Sequence, residues 1–271
     1  MSSIPAMTQY DLADCSIVIP VQIDSKQRLE HLQFLFSFFQ THFVNHQLII
    51  VEQGTESKVQ PPKSAVFEFV FQDEDFSIAQ ISNIGASLVR TAFFCKYDVD
   101  AVVEPKAIFD AFELLKNDLS VSFAIPYNGV SFNIKNPLRR VILRSYHLRQ
   151  LPVISRNEAH ARSSEEISLK SAHSKGLIHH FRTSVFKALG GYNEEFIGWG
   201  FEDNEILARF ALLGHQFHLL KDYTAFHLDH PRAPMTFRSQ ALTAQNYQRF
   251  LAIQKMPQEE ILQYIQMWSR F

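Results

Sequence analysis

Two carboxylates, Asp98 and Asp100, stand one residue apart behind an apolar segment and just ahead of Ala101-Val102-Val103. On an emerging strand, residues i and i+2 project to one side, so both acids would meet solvent together where a buried strand ends. Hard divalent cations such as Mg²⁺ or Mn²⁺ take oxygen ligands there and leave positions open for a diphosphate. Acidic pairs of this spacing are also common in loops, so their surroundings must carry the assignment.

A second group lies in Gly190 to Asp203 (GGYNEEFIGWGFED), a glycine-punctuated loop that runs into an acidic helix start. Beyond it Ile206, Leu207, Phe210 and Leu213 form one helical apolar stripe ending at Gly214, a C-terminal cap. Glu202 and Asp203 therefore occupy a first helical turn, where the helix dipole by itself favours acids. The dipole does not account for Trp199 between Gly198 and Gly200. An aromatic face beside carboxylates suits a sugar ring.

The elements that must position these groups read as strands joined by helices into a mostly parallel sheet covered on both faces. Ser16 to Pro20, Gln47 to Val51 and Val66 to Phe71 are the first three expected strands, rich in β-branched and aromatic residues. Between the first two, Leu29, Leu32, Phe36 and Phe39 make an apolar helical stripe within Lys26 to Phe43. A helix over Ile78 to Thr91 leads into Phe93 to Val103, and Val121 to Pro126 follows a helix around Ile108 to Leu115. From Ser131 to Lys175 the periodicity weakens while Arg139, Arg140, Arg144, Arg149, Arg156 and Arg162 accumulate. That stretch (131–175) reads as an insertion with a mobile part, either an irregular solvated surface or a basic patch facing an anionic acceptor or a membrane surface. Ser239 to Phe271 reads as two amphipathic helices parted near Pro257.

The chain has 271 residues, 46% of them hydrophobic, which is enough for one large domain, or one domain with a small appendage. We divide it into 1–235 and a helical extension, 236–271. A net charge of −2 gives no global attraction to nucleic acid. Two cysteines, Cys15 and Cys95, make neither a disulfide framework nor a four-cysteine zinc site. The first fifteen residues lack a basic start followed by an apolar run, and no later stretch reaches the roughly eighteen apolar residues of a membrane span. The expectation is a cytoplasmic protein, with peripheral association at the inner face of the membrane left open.

Taken together these motifs resemble the metal-dependent glycosyltransferases of the GT-A fold, in particular the galactosyltransferase-like group. Asp98-Val99-Asp100 matches the D-x-D after the central strand, and Gly198-Trp199-Gly200-Phe201-Glu202-Asp203 matches the later G-W-G-x-E-D. Ile81-Ser82-Asn83-Ile84-Gly85-Ala86 is similar to the helix start before the metal motif, and Ile19-Pro20 and Val51-Glu52 lie near the uracil-binding edge. The resemblance covers roughly residues 15 to 235. Phe201 stands where close relatives usually carry glycine, Asn204 replaces an acid that often follows E-D, and Val21-Gln22 lacks the arginine common after the first strand.

The resemblance implies an α/β GT-A fold and an inverting hexosyl transfer from a nucleoside-diphosphate sugar, a UDP-sugar first, to a glycan or other hydroxyl acceptor. Its implied setting is bacterial surface polysaccharide synthesis. Asp100 would contact Mn²⁺ or Mg²⁺ directly, with Asp98 near the ribose or a metal-bound water. A histidine beyond the acidic helix completes the metal shell in this family; His227 is the first choice and His230 the alternative. Asp203 would be the base, with Glu202 beside it facing the acceptor, and Pro20, Gln22, Glu52 and Asn83 would line the nucleotide. His179-His180 either approach the diphosphate or form a strand or loop pair exposed on one side, and stay outside the catalytic set. The rival from another class is a scaffold of the same fold that binds sugar or nucleotide without catalysis.

Overall fold

A computed structural model describes residues 9–73, 75–145, 154, 164–231 and 236–271. The first half contains β1 (Tyr10–Asp11), β2 (Cys15–Val21), α1 (Lys26–His42), β3 (Phe43–Val44), β4 (Gln47–Gly54), β5 (Val66–Phe71), α2 (Ile78–Leu88), β6 (Phe93–Tyr97), β7 (Ala101–Val102), α3 (Pro105–Asn117) and β8 (Val121–Ile125). There follow β9 (Ser131–Ile134), α4 (Leu138–Ser145), β10 (Ile167–Ser171), β11 (Ile178–Arg182), α5 (Thr183–Ala188), α6 (Glu202–Leu212), β12 (Gln216–Leu219), β13 (Ala225–Leu228), α7 (Phe237–Ile253) and α8 (Gln258–Trp268).

Seven strands form the central sheet in the order β12-β8-β11-β6-β2-β4-β5. Only β11 runs against its neighbours, pairing antiparallel with both β6 and β8. All seven residues of β2 are buried, as expected of a strand covered on both faces, and its sequence is correspondingly apolar from Ile17 to Val21. Helix α2 lies close on this strand because Gly85 has no Cβ; one would collide with the Val18 side chain. Ser25 and Ser77 start α1 and α2 by accepting hydrogen bonds from the backbone N–H of Arg28 and Gln80.

A second sheet, ordered β10-β9-β13-β7, grows beside the ends of the first. Two of its strands, β9 and β10, fall inside 131–175, where the sequence shows little periodicity. Four residues of β9 are too few to display a period, yet this strand pairs with β10 on one side and β13 on the other. Arg139, Arg140 and Arg144 belong to α4, whereas Arg149, Arg156 and Arg162 lie outside the described residues.

Helices α7 and α8 pack on the loop before α6. Asn246 donates to the Ile197 carbonyl at 3.0 Å, Arg249 to the Glu195 carbonyl at 2.9 Å, and Tyr264 to the Glu195 carboxylate at 2.5 Å. Among the described residues, no helix is long and apolar enough to cross a membrane.

Candidate active site

Asp100 ends the turn between β6 and β7, and strand pairing delivers the histidines to it. β13 runs antiparallel to β7 with His227 opposite Ala101, and the Leu228 N–H donates to the Asp100 carbonyl at 2.8 Å. Asp100 Oδ2 then lies 3.3 Å from His227 Nε2 and 3.0 Å from His230 Nε2. The potential ligand atoms of these three buried residues fall within 4.8 Å of one another. One carboxylate and two imidazoles make a mixed oxygen and nitrogen set that suits a divalent transition metal such as Mn²⁺. His230 and His227, alternatives in the sequence, both face Asp100. The His230 Nδ1 meets the Pro231 carbonyl at 2.8 Å, a contact that orients the ring.

Arg28, from the first turn of α1, brings its guanidinium to 3.7 Å from Asp100 Oδ2 and 3.4 Å from His230 Nε2. Burial alone would push the Asp100 carboxyl up, but His227, His230 and Arg28 together hold it well below the usual carboxylate range.

Asp98 is engaged elsewhere. Lys96, only 1% exposed, places Nζ 2.6 Å from Asp98 Oδ1 and 3.8 Å from Asp203 Oδ1. Burial would lower the lysine, but the two aspartates keep it charged and well above its ordinary value. His179 is opposite Lys96 in the β11–β6 pairing. Its Nδ1 lies 3.6 Å from Asp203 Oδ1 and 2.7 Å from the Tyr192 hydroxyl. A lysine, two aspartates, a histidine and a tyrosine thus converge at the start of α6. The Asp203 carboxylate rests on Gly176, where any Cβ would collide with it. Leu177, the next residue, takes a left-handed φ of 75° and accepts the Asp98 N–H at 2.8 Å. Such strain at a non-glycine residue persists only where its surroundings enforce it.

Glu202 is half-buried; loss of hydration and the adjacent Asp203 charge push its carboxyl up to about 8. Trp199 is 73% exposed, so its ring is free to stack on a ligand, and Gly200 beside it has φ of 101°. Phe201 has a left-handed φ of 73°. Its ring packs against Tyr247 and Phe250 of α7, with centroids 5.0 and 5.9 Å away.

The residues expected at the nucleotide divide. Pro20 is buried in β2 opposite Val51, and Gln22 follows it half-buried at the strand's carboxyl end. Glu52 is 1% exposed, and its carboxylate accepts from Ser57 Oγ at 2.8 Å and from the Lys58 N–H at 2.9 Å. It therefore fastens the loop after β4. Asn83 is fully buried and exchanges two hydrogen bonds of 2.8 Å with the Tyr192 backbone. It fixes the glycine loop that carries Trp199. His179 and His180 are both buried, contrary to a strand pair exposed on one side. Lys96 carried a signal in the sequence, a lysine inside the apolar run Phe-Phe-Cys-Lys-Tyr; Arg28 and Gly176 carried none.

This is the architecture of the GT-A fold. Residues 157–231, which span His227 and the G-W-G-x-E-D segment, match the family model described as the N-terminal domain of galactosyltransferase. Among solved structures, the chain is similar to GalNAc-T7 with UDP, GalNAc and Mn²⁺, at 13% identity and a TM-score of 0.57, over 88% of this chain and 48% of that one. It therefore spans about half of that structure's chain. It is also similar to the mannosyltransferase PcManGT from Pyrobaculum calidifontis in complex with GDP-Man and Mn²⁺, at 14% identity and a TM-score of 0.54, over 96% and 72% of the two chains. No curated protein sequence matches the chain.

Proposed function

We propose that this protein is a metal-dependent glycosyltransferase that moves a sugar, with inversion, from a nucleoside-diphosphate sugar to a hydroxyl of a glycan acceptor. The observation that carries the reading is the meeting of Asp100, His227 and His230 in one buried group, next to a separate carboxylate centre at Asp203. The first three would hold Mn²⁺, which suits their two imidazoles better than the oxygen-seeking Mg²⁺, and when bound the cation neutralises charge on the leaving diphosphate. The Arg28 guanidinium, already beside Asp100, adds a second positive group on that side. Asp203 takes the proton from the attacking acceptor hydroxyl, while Lys96 and Gly176 fix its carboxylate. Trp199 offers its exposed face to a sugar ring. Direct displacement by the deprotonated oxygen inverts the anomeric centre. A UDP-sugar is the donor we favour, and surface polysaccharide synthesis at the inner face of the membrane the setting; both rest on the sequence resemblance. The residues to 235 form the transferase unit in this reading, and α7 and α8 brace its acceptor loop.

The test is a thermal-shift screen of UDP, GDP and their sugars with and without Mn²⁺, comparing the parent with Asp100→Ala. Ligands that bind the folded state raise its apparent stability. A Mn²⁺-dependent shift with one nucleotide, lost in Asp100→Ala, is the expected result, together with metal-dependent release of nucleoside diphosphate that Asp203→Asn abolishes. Folded protein that shifts with no nucleotide would replace the enzyme with a non-catalytic scaffold.

A further inference from the structure

A second concave site lies on the outer side of α1. A cleft of about 540 Å³ separates α1 from α4, a volume in the range of small-ligand sites. Helix geometry explains it: Lys26, Glu30, Gln33 and Ser37 recur at three- and four-residue steps on one face of α1, and Asn136, Arg139, Arg140, Leu143 and Arg144 do so in and before α4. The charged lining is four cations, Lys26, Arg139, Arg140 and Arg144, against one carboxylate, Glu30.

Arg139 is 4% exposed and built into the wall, donating to Glu30 Oε2 at 2.7 Å and to His31 Nε2 at 2.8 Å. That pair consumes the one carboxylate among the described lining residues. Lys26, Arg140 and Arg144 are exposed and form no ion pair among the described residues. Three uncompensated cations around one concavity concentrate anions, and guanidinium forks match phosphate oxygens in pairs. A single carboxylate would leave most of this charge unmet. The His31 ring in turn faces His230 at 6.2 Å between centroids, so the cleft backs onto the Asp100 group through Arg139 and His31.

We propose that this cleft binds a phosphate-bearing ligand carrying two or more negative charges, a diphosphate or a phosphomonoester, at a site separate from the metal group. The proposal does not depend on the transfer reaction. Its ligand chemistry could come from a soluble diphosphate or from a phospholipid headgroup, and the two arms of the test separate them.

The full chain is titrated in EDTA with inorganic pyrophosphate by calorimetry, and sedimented with phosphatidylcholine vesicles with or without phosphatidic acid. The variants are Arg140→Ala/Arg144→Ala, in exposed positions, and Lys63→Ala/Lys221→Ala, which removes the same charge elsewhere. Expected is binding in at least one arm that weakens about tenfold or more in the arginine pair, is retained in the lysine pair, and survives Asp100→Ala. Pyrophosphate binding alone assigns a soluble ligand, and vesicle binding alone a lipid headgroup. No binding in either arm, or equal losses in the two double variants, overturns the proposal. Loss on Asp100→Ala instead would move the anion to the metal group and overturn it too.

Discussion

Replacing Lys96 with methionine removes one buried cation from between two carboxylates, and the geometry sets the cost. At an effective dielectric of about 20, unit charges 2.6 Å apart attract by about 6 kcal/mol and those 3.8 Å apart by about 4 kcal/mol. Dehydrating the ammonium consumes much of that gain, so the pair is worth far less than the sum. Deleting the lysine leaves Asp98 and Asp203 partly buried and facing each other, for which about 3–5 kcal/mol is the expected loss. That is a large share of the roughly 5–15 kcal/mol that holds a typical domain together. The assay is urea unfolding at pH 5 and pH 8 for the parent, Lys96→Met, Asp98→Asn and the double variant. The sign with pH follows from the groups. In the parent, Lys96 is held well above its ordinary value, so its contribution persists through neutral pH and is lost only under strongly alkaline conditions. Burial already raises Asp98, against the pull of Lys96; without the lysine it rises further. The folded variant then takes up a proton that the unfolded chain releases, so its deficit should shrink toward pH 5. Asp98→Asn should restore part of the lost stability to the Lys96→Met chain. A deficit under about 1 kcal/mol, or one that neither pH nor Asp98→Asn alters, would refute the clamp.

Three further outcomes follow from local geometry. Gly176→Ala puts a methyl where the Asp203 carboxylate lies; turnover should fall while Mn²⁺-dependent nucleotide binding by thermal shift is retained, and unchanged turnover would take Asp203 out of its assigned position. Glu202, pushed up to about 8 by burial and the Asp203 charge, binds a proton in the folded state that the unfolded chain gives up above about 4.3. Its effect is therefore a stability that declines as pH rises toward 8 and then levels, and Glu202→Gln should remove that decline in a pH series of melting temperatures. Phe201→Gly relieves about 1 kcal/mol of left-handed strain but forfeits two aromatic contacts worth about 0.5–1.5 kcal/mol each, besides buried surface. The expected net is a loss of about 1–2 kcal/mol with faster amide exchange in α7; a gain in stability would mean the strain dominates.

Local pattern was enough for the central strands. β2, β4 and β8 lie within three residues of the apolar runs that mark them, because a strand covered on both faces must be apolar on both; β5, at the sheet edge with none of its residues buried, shows through its β-branched and aromatic residues instead. Helices α1 and α6 follow their 3.6-residue stripes for the same kind of reason, and Gly214, with φ of 82°, ends α6 beyond its last turn. The positions of Asp98 and Asp100 at a strand end, and of Glu202 and Asp203 in a first helical turn, were legible too. What each side chain touches was not. Lys96 and His179 are far apart in the chain and meet because β11 runs antiparallel to β6. His227 and His230 converge on Asp100 because β13 pairs with β7 in one register. Glu52 and Asn83 hold loops because those loops fold back onto them. Periodicity is a property of one segment and reports which face is buried; partners across a sheet depend on strand order and register, which are fixed only when the segments pack.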